Sequence, residues 1–185
     1  MQGKIVLVGG GARSGKSRFA MEYAQTMGEG RIFVATAQAS DAEMQGRIRR
    51  HREERGQAFV TIEEPLQLGR VLREVKGANV VLVDCLTLWL SNLLLQGRSA
   101  DDVESEVATV VAGLRLRRRH VVLVSNEVGL GLVPESSLGR AFRDIAGRAH
   151  QQLAAEADEV YLATLGLVVR LLPAPVTAFR PGQMP

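Results

Sequence analysis

Residues 4–20 read KIVLVGGGARSGKSRFA, and this stretch decides the fold. Its first five residues form an apolar run typical of a buried strand, and residues 14 to about 27 are expected to continue as a helix. The glycine-rich turn between them, residues 10–17, fits the pattern G-x-x-x-x-G-K-S/T in full. A turn in this setting binds phosphate, because its backbone N–H groups and the helix N-terminus face the anion.

This phosphate cradle gives roles to two side chains. Lys16 is expected to act catalytically by reaching the β and γ phosphates of a nucleoside triphosphate, and Ser17 to ligate Mg²⁺. Asp84 ends the apolar run VVLVD (80–84), where a carboxylate can hold the same metal directly or through water; a simple strand-end cap is the alternative. The nucleotide-binding residues predicted from the cradle are Gly10, Gly11, Ala12, Arg13, Ser14, Gly15, Lys16 and Ser17.

The rest of the chain alternates short apolar runs with longer helical stretches. Its 185 residues, with 46% apolar and 23% charged content, indicate one globular domain. Strands are predicted at 4–8, 31–36, 59–63, 80–84 and 120–126, with a closing pair, 160–164 and 167–172, around Gly166. Helices are predicted at 40–55, 65–75, 86–96, 101–117 and 140–157.

This succession predicts an α/β fold of the P-loop NTPase type (RecA-like). Uninterrupted apolar runs suit parallel strands covered on both faces, so we expect a mainly parallel sheet flanked by helices, with an antiparallel pair at the C-terminal end. The catalytic domain is predicted to span residues 1–172. The Pro-rich tail, 173–185, is expected to stay outside the sheet.

Composition argues against several classes of protein. Lys and Arg total 23 against 20 acidic residues, an excess too small and scattered to predict nucleic-acid binding. The single cysteine, Cys85, rules out an intramolecular disulfide. No apolar stretch reaches the roughly 18 residues that a membrane span needs. A cytoplasmic location is the expectation.

A histidine lies on one stripe of the charged helix GRIRRHREERG (46–56). Helical spacing places it toward the protein body, because the stripe consists of Met44, Ile48, His51 and Arg55. Burial and nearby arginines both disfavour the charged form of an imidazole that faces the protein body. The neutral form that remains can attack phosphorus. From the residues alone, a partly buried structural histidine is the stronger interpretation.

Five segments together resemble the bifunctional adenosylcobinamide kinase / adenosylcobinamide-phosphate guanylyltransferase family of cobalamin biosynthesis. They are GGARSGKSRFA (10–20), IRRHREERG (48–56), VLVDCLTLWLSNLL (81–94), VSNEVGLGLVPES (124–136) and FRDIAGRAHQQLAAEADEVYL (142–162). The resemblance implies that ATP or GTP phosphorylates the aminopropanol hydroxyl of adenosylcobinamide. It also implies that GTP then transfers GMP to that phosphate through a guanylyl-histidine, releasing pyrophosphate.

The resemblance also implies site residues and an assembly. His51 takes the place of the family's nucleophile. The further nucleotide-binding positions are Ala35, Thr36, Ala37, Arg52, Glu53, Glu54, Arg55, Glu63 and Asp84. Mg²⁺ and a homotrimer are expected. Two positions depart from the family pattern, Ser136 and His150, where asparagine is expected.

Two other functions remain open from the sequence. A single-activity P-loop kinase for a small metabolite would use the cradle and Asp84 but leave His51 idle. A nucleic-acid-binding module would use RRHREER (49–55) and the basic run 115–119, although aromatic residues, at 4% of the chain, give few stacking platforms. The apolar helix 86–96 could bury Trp89 either in the core or at a subunit contact.

Overall fold

The computed structural model describes residues 2–38, 45–46, 49, 52–53 and 56–179. The strands are β1 (Ile5–Gly10), β2 (Arg31–Ala35), β3 (Val60–Glu63), β4 (Val80–Asp84), β5 (His120–Asn126), β6 (Glu159–Thr164), β7 (Leu167–Leu172) and β8 (Thr177–Phe179). The helices with described bounds are α1 (Lys16–Thr26), α2 (Leu68–Glu74), α3 (Leu86–Leu95), α4 (Ala100–Arg115) and α5 (Ser137–Glu156). The described residues between 45 and 53 are also helical.

All eight strands form one sheet in the order β3-β2-β4-β5-β1-β6-β7-β8. The neighbours from β3 to β6 are parallel, whereas β6–β7 and β7–β8 are antiparallel. This confirms the mainly parallel sheet and the antiparallel closing pair. The parallel strands end at one side of the sheet, called here the carboxyl edge, where α/β proteins bind ligands.

Helices cover both faces of the sheet because the strand side chains alternate. Ile5 and Leu7 pack into a core cluster with residues of α2 to α5, whereas Val6 and Val8 pack on the other face with α1. Trp89 is fully buried in the first cluster, and its Nε1 donates to the Leu66 carbonyl at 2.8 Å. Trp89 is therefore a core residue, and the subunit-contact interpretation is wrong.

Most predicted elements are present, with shifted ends. The helix predicted from Pro65 begins at Leu68, because the Glu64 carboxylate accepts the N–H groups of Leu66 and Gln67, at 3.0 and 2.8 Å, and holds a turn there. The helix predicted from residue 140 begins at Ser137. Ser136 caps it by accepting the Gly139 N–H at 3.1 Å.

The expectation that the tail stays outside the sheet is wrong for residues 177–179. They form β8, which pairs antiparallel with β7 through the register Val168↔Phe179, Val169↔Ala178 and Arg170↔Thr177. Without β8, the backbone groups of β7 facing away from β6 would lack strand partners, as at any sheet edge. Residues 180–185 lie outside the described residues.

A buried carboxylate holds α1 against the sheet below the cradle. Glu159 of β6 accepts hydrogen bonds from Lys4 Nζ, from the Tyr23 hydroxyl of α1 and from the Tyr161 hydroxyl. Burial raises the pKa of Tyr161 to about 12, and the neighbouring Glu159 adds to the shift, so this phenol stays protonated. No helix among the described residues is long and apolar enough to cross a membrane.

Candidate active site

The cradle follows β1 at the carboxyl edge and has the closed backbone that phosphate binding needs. The Ser14 N–H donates to the Gly11 carbonyl at 3.3 Å, and Gly15 has φ 89°, a left-handed conformation that favours glycine. At Gly10, an added Cβ would lie 2.6 Å from the Ala163 carbonyl oxygen and 2.7 Å from Ser14 Oγ. Glycine is thus required at Gly10 for close packing.

The N-terminus of α1 is left open for an anion. Gly15 is its cap residue and offers no side-chain acceptor, and no acidic residue lies in the first turn. The first N–H groups of a helix lack partners within the helix, so an uncapped end attracts phosphate. Ser14 Oγ is also buried and, among the described residues, has no hydrogen-bond partner. It adds a polar atom that a phosphate oxygen could satisfy.

Lys16 is held inside the cradle. Only 7% of the residue is exposed, and its Nζ donates to the Gly11 carbonyl at 3.1 Å. An ammonium carries three N–H donors, and hydrogen bonds to it are charge-assisted, so it suits a phosphate oxygen as a partner. The structure therefore brings the predicted catalytic lysine to the turn that the sequence assigned to phosphate.

Asp84 lies at the end of β4, aligned with Ala35 of β2 and Val124 of β5. It is partly exposed at the carboxyl edge, as its predicted role requires. Cys85 follows it and is 4% exposed. Burial, together with the Asp84 charge, raises the pKa of the Cys85 thiol to about 11, so the thiol is neutral and not a nucleophile near pH 7.

The predicted nucleotide-site residues Ala35, Thr36 and Ala37 lie at this same edge. Thr36 is fully buried: its Oγ1 donates to the Cys85 carbonyl and accepts the Cys85 N–H, both at 2.8 Å. Asn92 Nδ2 donates to the Thr36 carbonyl at 2.8 Å. Ala35 and Ala37 are partly exposed. The buried Thr36 side chain thus holds the segment after β2 against the segment after β4. Nucleotide contact by Ala35, Thr36 and Ala37 stays a prediction.

We expect Thr36→Val to destabilise the chain. The change removes one hydroxyl and leaves two buried backbone groups of Cys85 without that partner, at about 2–4 kcal/mol of unfolding free energy. Urea denaturation measures the loss. Thr109→Val is the matched control, since the Thr109 hydroxyl donates to the Ser105 carbonyl of its own helix, α4, at 3.0 Å, and Thr109 is partly exposed. Equal stability of the two variants would contradict this role.

The segment after β5 also reaches the cradle, and the sequence reasoning did not assign it a site role. The Glu127 N–H donates to the Gly10 carbonyl at 3.0 Å, and β5 lies directly beside β1. Asn126, the last residue of β5, donates from Nδ2 to Thr87 Oγ1 at 2.9 Å. Its position at the end of the apolar run 120–126, which was predicted as a strand, was the available signal.

The remaining predicted site residues are placed as follows. Glu63 ends β3, at the far side of the sheet from the cradle, and is exposed. Arg52 and Glu53 are helical and exposed. The predicted nucleophile His51, its stripe neighbours Met44, Ile48 and Arg55, and Glu54 all lie outside the described residues.

The basic run 115–119 is largely occupied by contacts within the chain. Arg115 pairs with Glu156 at 2.7 Å, and Arg117 pairs with Asp158 at 2.5 Å. Arg119 donates to the Val75 carbonyl. Ion pairs within the protein reduce the charge that a run can offer to phosphates, so this run gives little support to the nucleic-acid alternative.

Comparison with known proteins identifies the family. The family model described as cobinamide kinase / cobinamide phosphate guanyltransferase matches residues 6–171. This chain belongs to that family. The matched range covers the cradle, the ends of β2, β4 and β5, and α5. Family membership therefore applies to the whole carboxyl edge.

Relatives match over nearly their full lengths. The bifunctional adenosylcobalamin biosynthesis protein CobP of Pseudomonas aeruginosa is 43% identical over 174 residues, which cover 92% of this chain and 98% of the relative. CobU proteins of the same description from Escherichia coli and Salmonella typhimurium are 39% and 37% identical over 180 residues, covering 90% of this chain and 99% of each relative.

Solved structures of distant sequence share the fold. The flagellar accessory protein FlaH from Methanocaldococcus jannaschii aligns with a TM-score of 0.55 at 14% identity, over 97% of this chain and 85% of that chain. The RadB recombinase aligns with a TM-score of 0.53 at 15% identity, over 97% and 87%. These likenesses confirm the P-loop NTPase-type, RecA-like fold. They give no information about activity.

Proposed function

We propose that this chain phosphorylates adenosylcobinamide with ATP or GTP and then transfers GMP from GTP to the phosphate. The products of the second reaction are adenosylcobinamide-GDP and pyrophosphate. The observation that carries the proposal is the family match across residues 6–171, which spans a complete phosphate cradle. A small-metabolite kinase would need only that cradle and Asp84, and the family match is the reason to prefer two reactions.

In the kinase reaction, the cradle binds the triphosphate and stabilises charge on the transferred group. Lys16 Nζ lies against the Gly11 carbonyl within the cradle and would donate to phosphate oxygens there. The open N-terminus of α1 adds backbone donors and a favourable dipole. Donors fixed before the reaction stabilise the transition state without further reorganisation.

Mg²⁺ fits the oxygen atoms at this edge. Ser17 lies in the first turn of α1, Asp84 ends β4, and both are partly exposed. Mg²⁺ is commonly held by one or two protein oxygens together with phosphates and water. When bound, the ion would neutralise charge on the phosphate oxygens.

For the second reaction we propose His51 as the nucleophile. Attack by its imidazole on the α-phosphorus of GTP would form a P–N bond and release pyrophosphate. The phosphate of adenosylcobinamide phosphate would then displace the histidine. Two displacements through a covalent intermediate divide one difficult transfer into two easier steps. The proposal rests on the inward stripe of the sequence and the family match.

The test is incubation of the chain with GTP labelled at the α-phosphate. We expect label on the protein that is labile in acid and stable in base, because a phosphoramidate hydrolyses in acid. Chasing with adenosylcobinamide phosphate should move the label to the corrinoid. Kinase turnover with no label at any time would instead favour the small-metabolite kinase.

We also propose a homotrimer and a cytoplasmic location. The trimer follows from the family resemblance, and light scattering on the purified chain measures it: a mass near three times 20.1 kDa is expected. The location follows from the nucleotide substrates and the single unpaired cysteine. Fractionation of cells that express the chain tests it.

A further inference from the structure

The kinase reaction needs a group that removes a proton. The acceptor is a hydroxyl, and its oxygen can bond to the γ-phosphorus only if the O–H proton leaves during the reaction. Kinases commonly place a carboxylate beside the acceptor for this purpose. The residues assigned above bind the nucleotide and the metal, and none of them accepts this proton.

Four carboxylates lie at or just after the ends of strands along the carboxyl edge, within the part of the chain that the structure describes: Glu63, Glu64, Asp84 and Glu127. Glu63 ends β3 and Glu64 follows it, and β3 lies four strand positions from β1, on the order of 19 Å at the usual spacing. Glu64 is also committed to the turn before α2. Asp84 is the proposed metal ligand. Glu127 alone of the four follows the strand next to β1.

The main chain and side chain of Glu127 are both fixed. Its N–H bonds the Gly10 carbonyl at 3.0 Å, which ties it to the first residue of the cradle. Its Oε1 accepts the Gly129 N–H at 2.6 Å. A Cβ at Gly129 would lie 2.9 Å from that oxygen, so glycine is needed for the carboxylate to adopt this position.

The second oxygen of Glu127 faces a histidine. His150 Nδ1 of α5 lies 3.8 Å from Oε2, too far for a hydrogen bond, and His150 Nε2 lies 2.6 Å from Ser125 Oγ. Burial lowers the pKa of His150 below its usual 6.5, although the Glu127 charge opposes this shift. The neutral His150 ring therefore packs beside the Glu127 carboxylate and restricts its position, but it does not neutralise the carboxylate charge. The Glu127 side chain is 31% exposed, so a substrate can reach it.

Resting on the proposed function, we propose that Glu127 is the general base of the kinase reaction. Its Oε2 takes the proton of the acceptor hydroxyl as the hydroxyl oxygen bonds to the γ-phosphorus. The bond from the γ-phosphorus to the bridging oxygen breaks, and the nucleoside diphosphate leaves with the electron pair. The carboxylic acid then returns its proton to water. Ser125 and His150 act as positioning residues for the carboxylate.

The two reactions of this family provide an internal control. The acceptor in guanylyl transfer is a phosphate oxygen that is already ionised, so that step needs no base of this kind. We expect Glu127→Gln to lower kinase turnover on adenosylcobinamide by about 100-fold or more, in the range of general-base catalysis. Guanylyl transfer to supplied adenosylcobinamide phosphate should stay within about threefold of wild type. The glutamine amide oxygen can still accept the Gly129 N–H, so the loop should fold.

Both reactions are measured on the full chain with the same GTP concentration. Glu29→Gln is the matched control, since Glu29 is exposed in the turn between α1 and β2, away from the carboxyl edge; both its rates should be unchanged. Equal loss of both reactions in Glu127→Gln, or full kinase turnover, would overturn the inference while leaving the proposed function intact. An inactive wild-type chain would overturn the proposed function and the inference together.

Discussion

Replacing Lys16 with alanine should depress both reactions by about 100- to 1,000-fold in kcat/KM, the usual effect of removing one fixed donor to a transition-state anion. The lysine lies inside the cradle with its Nζ on the Gly11 carbonyl, in the turn to which we assign the phosphates. Because the proposal gives both reactions one cradle, the two losses should be of similar size. Paired assays of kinase and guanylyl-transfer turnover measure them.

Arg18→Ala is the control for this prediction. Arg18 lies two residues further along α1, but it is exposed and its Nε pairs with Glu22 at 2.9 Å. Its removal should leave both rates within about twofold, since an exposed ion pair contributes little. Thermal unfolding of Lys16→Ala distinguishes lost chemistry from lost folding. Full guanylyl transfer in this variant, with kinase turnover abolished, would show that GTP binds outside the cradle in the second reaction.

The cradle and the sheet were predictable because their signals are local. The pattern in residues 10–17 fixes a turn between a strand and a helix, and the apolar runs 80–84 and 120–126 match β4 and β5 to the residue. Family membership was likewise predictable from the motifs that the family model now matches. The predicted site roles of individual residues remain predictions, and the structure adds where the described ones lie.

Other features depend on contacts between distant segments and could not be predicted locally. β8 forms because β7 presents an open edge, and a Pro-rich tail gives no sign of that partner. The pairing of Thr36 with Cys85 joins residues 49 positions apart. Glu127 lies beside the cradle only because β5 is the neighbour of β1. In each case strand order, which the sequence does not state, decides which residues meet.

His51→Ala should abolish guanylyl transfer and leave at least part of the kinase reaction. Without the imidazole there is no atom to form the P–N bond, so we expect no acid-labile label from α-labelled GTP and a fall in transfer of at least about 1,000-fold. In the proposed mechanism kinase turnover needs the cradle, Lys16 and a base for the acceptor, none of which is this histidine. Label retention on denatured protein, and both turnover rates, are measured side by side.

The chain has three histidines, which makes the control direct. His120 lies at the start of β5, at the opposite edge of the sheet from the cradle, where its Nδ1 accepts the Lys4 N–H at 3.0 Å. His120→Asn should keep both the label and the transfer reaction.

If His51→Ala still carried the label, the nucleophile would be another residue. If it lost kinase and transfer equally, the helix would serve the shared nucleotide site rather than the covalent step. Loss of label with kinase turnover retained is the result that assigns the imidazole to GMP transfer, because only that reaction needs a nucleophile from the protein.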